Sequence, residues 1–247
     1  MSLLKVEGLA KAFGGVKALD GVSFSVEPGE LLAMIGPNGA GKTTCFNIVN
    51  GQLPGDRGMV HFEGLSVGGL APHRLFRLGI GRTFQITATF SSMTVRENVQ
   101  LALLSARQRL ARFWAAASDQ FADEADALLQ AVGVGPQAER ACAELSYGDL
   151  KRVELAVALG GSPRLLLMDE PTAGMASRER GDLMALVARL ALERRIGVLF
   201  TEHDMDIVFG HAHRVLVLSA GRVIAQGTPA QVRDDPEVRR VYLGVSR

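Results

Sequence analysis

A glycine-rich segment between residues 36 and 43 has the residue types that bind phosphate groups. It reads Gly-Pro-Asn-Gly-Ala-Gly-Lys-Thr and fits the pattern G-x-x-x-x-G-K-[ST] at every fixed position. Glycines let backbone N–H groups turn toward phosphate oxygens, Lys42 can reach the outer phosphates, and the Thr43 hydroxyl can ligate Mg²⁺. The segment follows the apolar run LLAMI (31–35) and precedes the helix-like TTCFNIVN. This strand-to-helix context favours a phosphate-binding loop over an unliganded glycine-rich turn.

An acidic pair, Asp169 and Glu170, is the second group of candidate residues. It follows the run RLLLM (164–168), so Asp169 is predicted at the carboxyl end of a buried strand. There Asp169 can support Mg²⁺ through the metal's waters, while Glu170 can face the terminal phosphate as general base or water-orienting group. An acidic pair alone can simply end a strand. Together with the phosphate-binding segment, it predicts nucleotide hydrolysis.

Short unbroken apolar runs predict the elements that position these residues. Such runs are typical of parallel strands covered on both faces. Between the second and third runs, apolar residues recur at helical spacing, which completes a βαβ unit, and Ser177 is placed to cap that helix. The three runs span residues 31–35, 164–168 and 197–201, and the apolar helix positions are Leu183, Leu186, Val187 and Leu190.

Other stretches of the chain have different patterns. GVSFSV (21–26) and GMVHFEG (58–64) alternate apolar with small or polar residues, which favours antiparallel strands beside the parallel core. Residues 93–143 are rich in Ala and Arg at helical spacing, which indicates an inserted helical subdomain. Two further strand-like runs begin at Arg214 and Arg222. The fold class predicted from these patterns is α/β.

The composition excludes several classes of protein. The 247 residues include 27 basic and 26 acidic side chains, and this balance argues against a general nucleic-acid binder. Cys45 and Cys142 are far apart and in no CxxC spacing, so the sequence indicates neither a disulfide framework nor a zinc site. No apolar run approaches the roughly 18 residues of a membrane span, and we expect a soluble chain without a signal peptide.

The segment Leu-Ser146-Tyr-Gly148-Asp-Leu-Lys-Arg, just upstream of the RLLLM run, makes the resemblance specific. It is similar to the signature of ATP-binding cassette (ABC) ATPases. A local reading holds as well, because Ser146 and Asp149 form an S-x-x-D capping pair before a helical stretch. The exposed N–H groups of such a helix start form an anion site. In the family, this site binds the γ-phosphate of nucleotide held by the other protomer.

The resemblance implies the architecture and the division of the chain. The fold would be a RecA-like P-loop NTPase core with an antiparallel β subdomain and an inserted α-helical subdomain. The chain would be a single ABC ATPase domain spanning residues 1–247. Residues 1–85 and 156–247 would form the core with its β subdomain. Residues from about 86 to 155 would form the helical subdomain that carries the signature.

The resemblance also implies ATP and Mg²⁺ as cofactors and assigns further residues. Phe13 would stack on adenine, Gln85 would touch Mg²⁺ and the attacking water, and His203 would contact the γ-phosphate and help hold Glu170. The catalytic set is then Glu170, His203 and Gln85, and the metal set is Thr43, Gln85 and Asp169. The nucleotide-binding set is Phe13, Gly36, Pro37, Asn38, Gly39, Ala40, Gly41, Lys42, Thr43, Thr44, Ser146 and Gly148.

Two departures from the family pattern stand out. Tyr147 and Asp149 replace the usual Gly and Gln of the signature. After Glu170-Pro-Thr, the chain has Ala-Gly-Met-Ala (173–176) where the family usually carries Ser-Ala-Leu-Asp. The aspartate that crosses to the partner's phosphate loop is therefore absent, which puts communication between the two sites in question.

Several segments resemble the ATPase subunits of branched-chain (hydrophobic) amino-acid importers, namely those around Gln85 and His203, the AGM variant and the closing GTPAQV…DPEVRRVYLG. The implied partners are transmembrane permease subunits, a second ATPase subunit (the same or a different chain) packed head to tail and, indirectly, a periplasmic solute-binding protein. The implied location is peripheral, on the cytoplasmic face of the inner membrane. Urea or short amides are alternative solutes, and no nucleic-acid partner is expected.

Apolar residues after Gln85 predict a contact with the membrane subunit. Phe84, Phe90, Met93 and Val95 lie close together in sequence, and some of them are candidates for a groove that receives a short helix of that subunit. Ordinary packing under the helical subdomain is the alternative for each of them. A competing class is an ABC ATPase of DNA repair or translation. The chain has neither the inserted heptads of the former nor the second cassette of the latter.

Overall fold

A computed structural model of the chain describes residues 2–83, 89–107 and 121–243. In these ranges the strands form two sheets, one of six strands and one of four. The strands are β1 (Leu4–Phe13), β2 (Val16–Val26), β3 (Leu31–Ile35), β4 (Arg57–Phe62), β5 (Leu65–Ser66), β6 (Ile80–Thr83), β7 (Leu165–Asp169), β8 (Gly197–Thr201), β9 (Arg214–Ser219) and β10 (Arg222–Gly227). The helices are α1 (Lys42–Val49), α2 (Pro72–Leu78), α3 (Val95–Ala106), α4 (Ala122–Ala131), α5 (Tyr147–Gly160), α6 (Ser177–Arg194), α7 (Met205–His211), α8 (Pro229–Asp234) and α9 (Pro236–Leu243).

The six-stranded sheet has the order β10-β9-β3-β8-β7-β6, and its strands are parallel except for β10. Strands β3, β7 and β8 are buried at every position. Successive side chains of β3 enter opposite cores: Leu32 and Met34 pack toward α1 and the second sheet, while Leu31 and Ile35 pack toward α3 to α9. This two-sided burial explains the unbroken apolar runs and confirms the predicted parallel core.

The second sheet is antiparallel, with the order β2-β1-β4-β5. It contains both of the alternating stretches that predicted antiparallel strands. Strand β1 ends at Phe13, and β2 begins at Val16 after a tight turn. The predicted antiparallel β subdomain is therefore present, and its first hairpin places an aromatic residue at a strand end.

Helices α3, α4 and α5 pack on one another. A capping box starts α3, because the Thr94 hydroxyl accepts the N–H of Glu97 while the Glu97 carboxylate accepts the N–H of Thr94. Ser146 starts α5, and Gly161 follows its last residue. Helix α5 continues through residues 155 and 156, and its apolar residues join the same core as those of α6.

The prediction that Ser177 caps helix α6 is wrong. Ser177 is the first residue of the helix, and the capping position belongs to Ala176, whose backbone is extended. An alanine has no side-chain acceptor, but the carboxylate of Glu179 accepts the Ala176 N–H at 3.3 Å. The predicted apolar face is confirmed, since Leu183, Val187 and Leu190 are all buried.

Among the helices described, none has the length and apolar character required to cross a bilayer.

Candidate nucleotide-binding site

The glycine-rich loop connects β3 to α1 and is supported by distant parts of the chain. The N–H of Gly221, in the β9–β10 turn, donates to the carbonyl of Ala40 at 3.0 Å. Gly41 has a φ of +104°, and a Cβ there would lie 2.5 Å from the carbonyl oxygen of Ala18. Only glycine fits such a position. At Gly39 a Cβ would meet nothing within 4 Å, because this residue faces open space.

The start of helix α1 is built to receive an anion. The residue before the helix is Gly41, so no side chain caps the first turn, and that turn contains no acidic residue. The unsatisfied N–H groups and the positive end of the helix dipole therefore remain available. A glycine-rich loop that leads into an uncapped helix start fits the phosphates of a nucleotide.

Lys42 lies beneath this loop with 8% of its surface exposed. Its ammonium donates to the carbonyl of Gly36 at 2.6 Å and to that of Pro37 at 3.2 Å. Burial lowers the pKa of Lys42, and the nearby carboxylates of Glu170 and Asp169 oppose that shift. A positive charge is thus fixed where phosphate oxygens would lie.

Asp169 ends strand β7 and is buried. One carboxylate oxygen accepts the Thr201 hydroxyl at 2.6 Å, and the other lies 3.5 Å from a guanidinium nitrogen of Arg82. The described residues contain no cluster of three or more His, Cys, Asp or Glu side chains that could hold a metal by themselves. A single carboxylate such as that of Asp169 fits Mg²⁺, which is usually held by one or two carboxylates together with phosphate oxygens and waters.

Glu170 and His203 form a hydrogen-bonded pair next to the loop. The distance from His203 Nε2 to Glu170 Oε1 is 2.8 Å, and the donor depends on the imidazole tautomer. Glu170 has a φ of +49°, a left-handed conformation that few non-glycine residues adopt. Its N–H donates to the carbonyl and the hydroxyl oxygens of Thr201, each at 3.1 Å. The strained backbone is therefore held by β8.

These groups border a cleft of about 330 Å³. Phe13 stands at its edge with 49% of its surface exposed, so a ring face is free for stacking, and the Lys11 ammonium lies 5.6 Å from the ring centroid. Gly36 and Pro37 contribute the carbonyls that hold Lys42, and Asp169 lies behind Glu170. The predicted residues that line the cleft are Phe13, Asn38, Gly39, Ala40, Gly41, Lys42, Thr43, Thr44, Glu170 and His203.

The structure does not bring the signature residues into this cleft. Ser146 and Gly148 lie at the start of α5, outside the cleft lining. The Ser146 hydroxyl accepts the N–H of Asp149 at 3.1 Å, which confirms the predicted cap. The Asp149 carboxylate accepts the Ser146 hydroxyl at 2.9 Å rather than a backbone N–H. Gln85 lies outside the described residues.

Sequence reasoning missed two residues of the site. The carboxylate of Glu202, 5% exposed, accepts the N–H of Thr172 at 2.9 Å, the hydroxyl of Thr172 at 2.6 Å and the N–H of His203 at 3.2 Å. It therefore joins the loop after Glu170 to the segment that carries His203. Arg82 is the second, through its contact with Asp169. An acidic residue directly after a buried strand, and an arginine within one, were the available signals.

Comparison with known proteins agrees with this geometry. Residues 19–173 match the family model described as "ABC transporter", and residues 222–247 match that of the branched-chain amino acid ATP-binding cassette transporter. The chain is 38% identical to the high-affinity branched-chain amino acid transport ATP-binding protein BraF of Pseudomonas aeruginosa, over 98% of both chains. It is 37% identical to LivG of Escherichia coli, a protein of the same description, again over 98% of both.

Solved structures give the same result. A nucleotide-free ATP-binding cassette from an ABC transporter superposes with a TM-score of 0.87 at 33% identity, covering 100% of both chains. A structure of the ADP conformation of an ATP-binding cassette of an ABC transporter has a TM-score of 0.89 at 34% identity, covering 99% of this chain and 100% of the other. The predicted RecA-like core with its two additions is thereby confirmed. The chain belongs to the ABC transporter family and, within it, to the group of ATP-binding subunits that includes these branched-chain amino acid relatives.

Proposed function

We propose that this ABC ATPase hydrolyses MgATP in the cleft between the glycine-rich loop and the Glu170–His203 pair, and that hydrolysis drives solute import. One observation carries the proposal: a carboxylate hydrogen-bonded to an imidazole at 2.8 Å borders the same cleft as the buried ammonium of Lys42. A base and a phosphate-binding cation on one cleft are the parts that phosphoryl transfer to water requires.

The residues divide the work as follows. The N–H groups of α1 and the Lys42 ammonium hold the phosphates, and Phe13 supports the adenine. Thr43, Asp169 and Gln85 would hold Mg²⁺, which when bound would neutralise charge at the phosphates. Glu170 accepts a proton from the attacking water, while His203 fixes the orientation of its carboxylate.

The site needs a second ATPase subunit to be complete. Ser146 is exposed and Gly148 is buried at the start of α5, and both lie outside the cleft of their own chain. We place them against the γ-phosphate of nucleotide bound to a partner subunit, of the same or a different chain. ATP then closes a head-to-tail dimer, and loss of the γ-phosphate opens it.

Substitution of Glu170 by Gln tests this proposal. The amide cannot accept the proton, so we expect ATP turnover to fall by about 10² or more while ATP binding is retained. ATP-dependent dimers should then accumulate, as measured by light scattering. Glu193→Gln, an exposed change on α6, is the matched control. Turnover at the parent rate in Glu170→Gln would refute the assignment of the base.

A groove of about 420 Å³ between α2, β6, α3 and α5 favours docking of a permease helix. Its lining is mostly apolar and includes Phe76, Ile80, Ala102 and Val157. Of the residues predicted to form a groove, Phe90, Met93 and Val95 are described, and none of them lines this one. Phe90 is 56% exposed and Met93 is half-buried, whereas Val95 is completely buried and is a core residue. Phe84 lies outside the described residues.

Charged substitutions test the docking of the permease. Val157→Asp and Phe90→Asp should abolish transport in the reconstituted complex while ATP binding by the isolated subunit survives. Leu192→Asp, at a site on α6 that is 71% exposed, is the control. Full transport with Val157→Asp would show that this groove is not the docking site.

Branched-chain amino acids are the proposed solute, and the functions of the relatives support this choice. Urea and short amides are the alternatives. Uptake of labelled leucine and of labelled urea by the reconstituted complex separates them. A non-transport role requires that no permease associates with the chain.

We further propose that residues 1–85 and 156–247 form the core with its β subdomain, and that residues from about 86 to 155 form the helical subdomain. We also propose a periplasmic solute-binding protein as an indirect partner. The proposed location is peripheral, on the cytoplasmic face of the inner membrane.

A further inference from the structure

The two departures from the family pattern touch each other in the structure. The Tyr147 hydroxyl donates to the carbonyl of Ala173 at 3.1 Å. Gly174 has a φ of +80°, and a Cβ at this position would lie 3.4 Å from Cε1 of Tyr147 and 3.5 Å from its hydroxyl oxygen. The tyrosine that replaces a signature glycine therefore packs on the Ala-Gly segment that replaces the usual Ser-Ala.

The segment that Tyr147 contacts is tied to the general base. The N–H of Ala173 donates to the carbonyl of Glu170 at 3.1 Å. Thr172, between them, is fixed by two hydrogen bonds to the buried carboxylate of Glu202. Ala173 is thus bonded to Glu170 through its N–H and to Tyr147 through its carbonyl. Movement of Tyr147 would shift the turn that carries Glu170.

Tyr147 is also the first of three residues on one face of α5. Tyr147, Lys151 and Glu154 have the spacing i, i+4, i+7. The Lys151 ammonium lies 5.4 Å from the Tyr147 ring centroid and 3.0 Å from a carboxylate oxygen of Glu154. Side-chain exposure is 5% for Lys151 and 7% for Glu154. An ion pair buried this deeply is weak evidence for stability, because desolvation offsets the attraction.

The far end of this face reaches the groove described above. Glu154 lines the groove, and its second carboxylate oxygen is buried with no hydrogen-bond partner among the described residues. A buried carboxylate oxygen without a donor is costly. A permease segment with an N–H or a cationic group at this point would satisfy it.

We propose that Tyr147, Lys151 and Glu154 form a relay of positioning residues that transmits occupancy of the groove to Glu170 of the same chain. The inference rests on the proposed docking of a permease. The relay acts within one subunit, so it needs no aspartate crossing between subunits. It connects the permease groove to the base of the same chain and is separate from the communication between the two nucleotide sites.

Tyr147→Phe tests the end of the relay near the base. It removes only the hydroxyl and keeps the ring against Gly174 and Lys151. We expect kcat of the isolated ATPase to fall about two- to tenfold, the range given by one lost hydrogen bond, with KM for ATP and the thermal midpoint unchanged. Ser177→Ala, which removes an exposed hydroxyl beyond the same segment, is the matched control and should keep the parent kcat.

An unchanged kcat in Tyr147→Phe would overturn the inference, as would a loss of ATP affinity together with a lower thermal midpoint, which indicates a purely structural role. Gly174→Ala is an independent second variant. Its Cβ would lie in ordinary contact with the Tyr147 ring, but the φ of +80° is strained for alanine and would displace the turn. We therefore expect the same fall in kcat with unchanged KM.

A double-mutant cycle between Tyr147→Phe and Glu154→Gln tests the whole relay in the assembled transporter. The quantity compared is the ratio of ATPase rate with the permease to that of the isolated subunit. Each single change should lower the ratio, and the double variant should go no lower than the lower single one. Fold-changes that multiply would show two independent effects and refute the relay. If the permease did not change the ATPase rate of the parent protein, the docking proposal would be refuted instead. The kcat of the isolated Tyr147→Phe variant would still decide the role of the hydroxyl.

Discussion

The phosphate loop and the signature segment are both helix starts suited to anions, but they are built differently. At the phosphate loop, helix α1 has no capping side chain, and its cation, Lys42, is buried and bonded to backbone carbonyls. At the signature, Ser146 caps α5 with its own hydroxyl, and the neighbouring Tyr147 is 43% exposed. The loop is therefore held by the backbone of its own chain, whereas the signature presents side chains outward.

This difference indicates which half of the site works alone. The phosphate loop has its cation, metal carboxylate and base within one chain, so a single subunit should bind nucleotide. We propose that the signature supplies an anion site to a partner subunit; Ser146 and Gly148 do not line the cleft that contains Glu170 and His203. Substitutions in the first region should change binding and chemistry, and those in the second should change association between subunits.

The largest effect is expected at Lys42. Lys42→Ala removes the buried charge that the phosphates would meet, and the loss of charge-assisted hydrogen bonds should weaken ATP binding by a single subunit by about 100-fold or more. Calorimetric titration measures this. Lys5→Ala, an exposed lysine on β1, is the control. If Lys42→Ala bound ATP with the affinity of the parent protein, the comparison would fail. The phosphate loop would then not be the region that binds nucleotide.

His203 comes next in expected size. His203→Ala removes the 2.8 Å partner of the Glu170 carboxylate. A hydrogen bond to a charged group contributes about 1.5–3 kcal/mol, so we expect kcat to fall about 10- to 100-fold with little change in ATP affinity. His73→Ala, on α2, should leave kcat unchanged. If His203→Ala lowered ATP affinity instead of kcat, the histidine would belong to binding rather than to orientation of the base.

Ser146 should have a smaller effect of a different kind. Ser146→Ala removes a helix cap, which costs about 1 kcal/mol of stability, and one anion donor. ATP binding by a single subunit should persist, while ATP-driven dimer formation in the Glu170→Gln background weakens about two- to tenfold by sedimentation analysis. Ser146→Gly separates the two causes, because glycine costs the cap only a few tenths of a kcal/mol. Weaker binding of ATP to the single subunit would contradict the assignment.

The smallest expected effect is a difference in the rate of chemical labelling between two cysteine thiols. Cys45 lies in the helix after the phosphate loop, and Cys142 lies just before the signature segment. Burial raises the pKa of Cys45 to about 12, and burial also raises that of Cys142, which a hydrogen bond from Thr89 partly offsets. Since the thiolate is the reactive form, native labelling by iodoacetamide should be slow at pH 7, faster at higher pH, and slowest at Cys45. Mass spectrometry of the single variants Cys45→Ser and Cys142→Ser measures each rate. Faster labelling of Cys45 would show that the phosphate-loop helix opens more readily than the signature segment.

Much of the fold, and the part of the site formed by the phosphate loop, could be predicted from the sequence. Burial and backbone geometry there impose local patterns of residue types. Unbroken apolar runs marked β3, β7 and β8, and glycine spacing marked the loop. The failures arise where partners are distant or chemically unexpected. The sequence pattern predicted Ser177 as the cap of α6, but the capping position is Ala176, whose N–H donates to the carboxylate of Glu179. Glu202 gave little local signal, since its partners Thr172 and His203 come together only in the folded sheet. The contact of Tyr147 with Ala173 joins segments that sequence reasoning treated as separate departures.

The support of Ala40 by Gly221 bears on how the protein is made. Residues 36–43 leave the ribosome well before the β9–β10 turn that supports them has been synthesised. A nascent chain that lacks this turn has the sequence of the phosphate loop without its brace, and it also lacks His203 until β8 has been completed. Because Gly221 supports Ala40, we expect a chain without the β9–β10 turn to bind ATP more weakly than one that contains it.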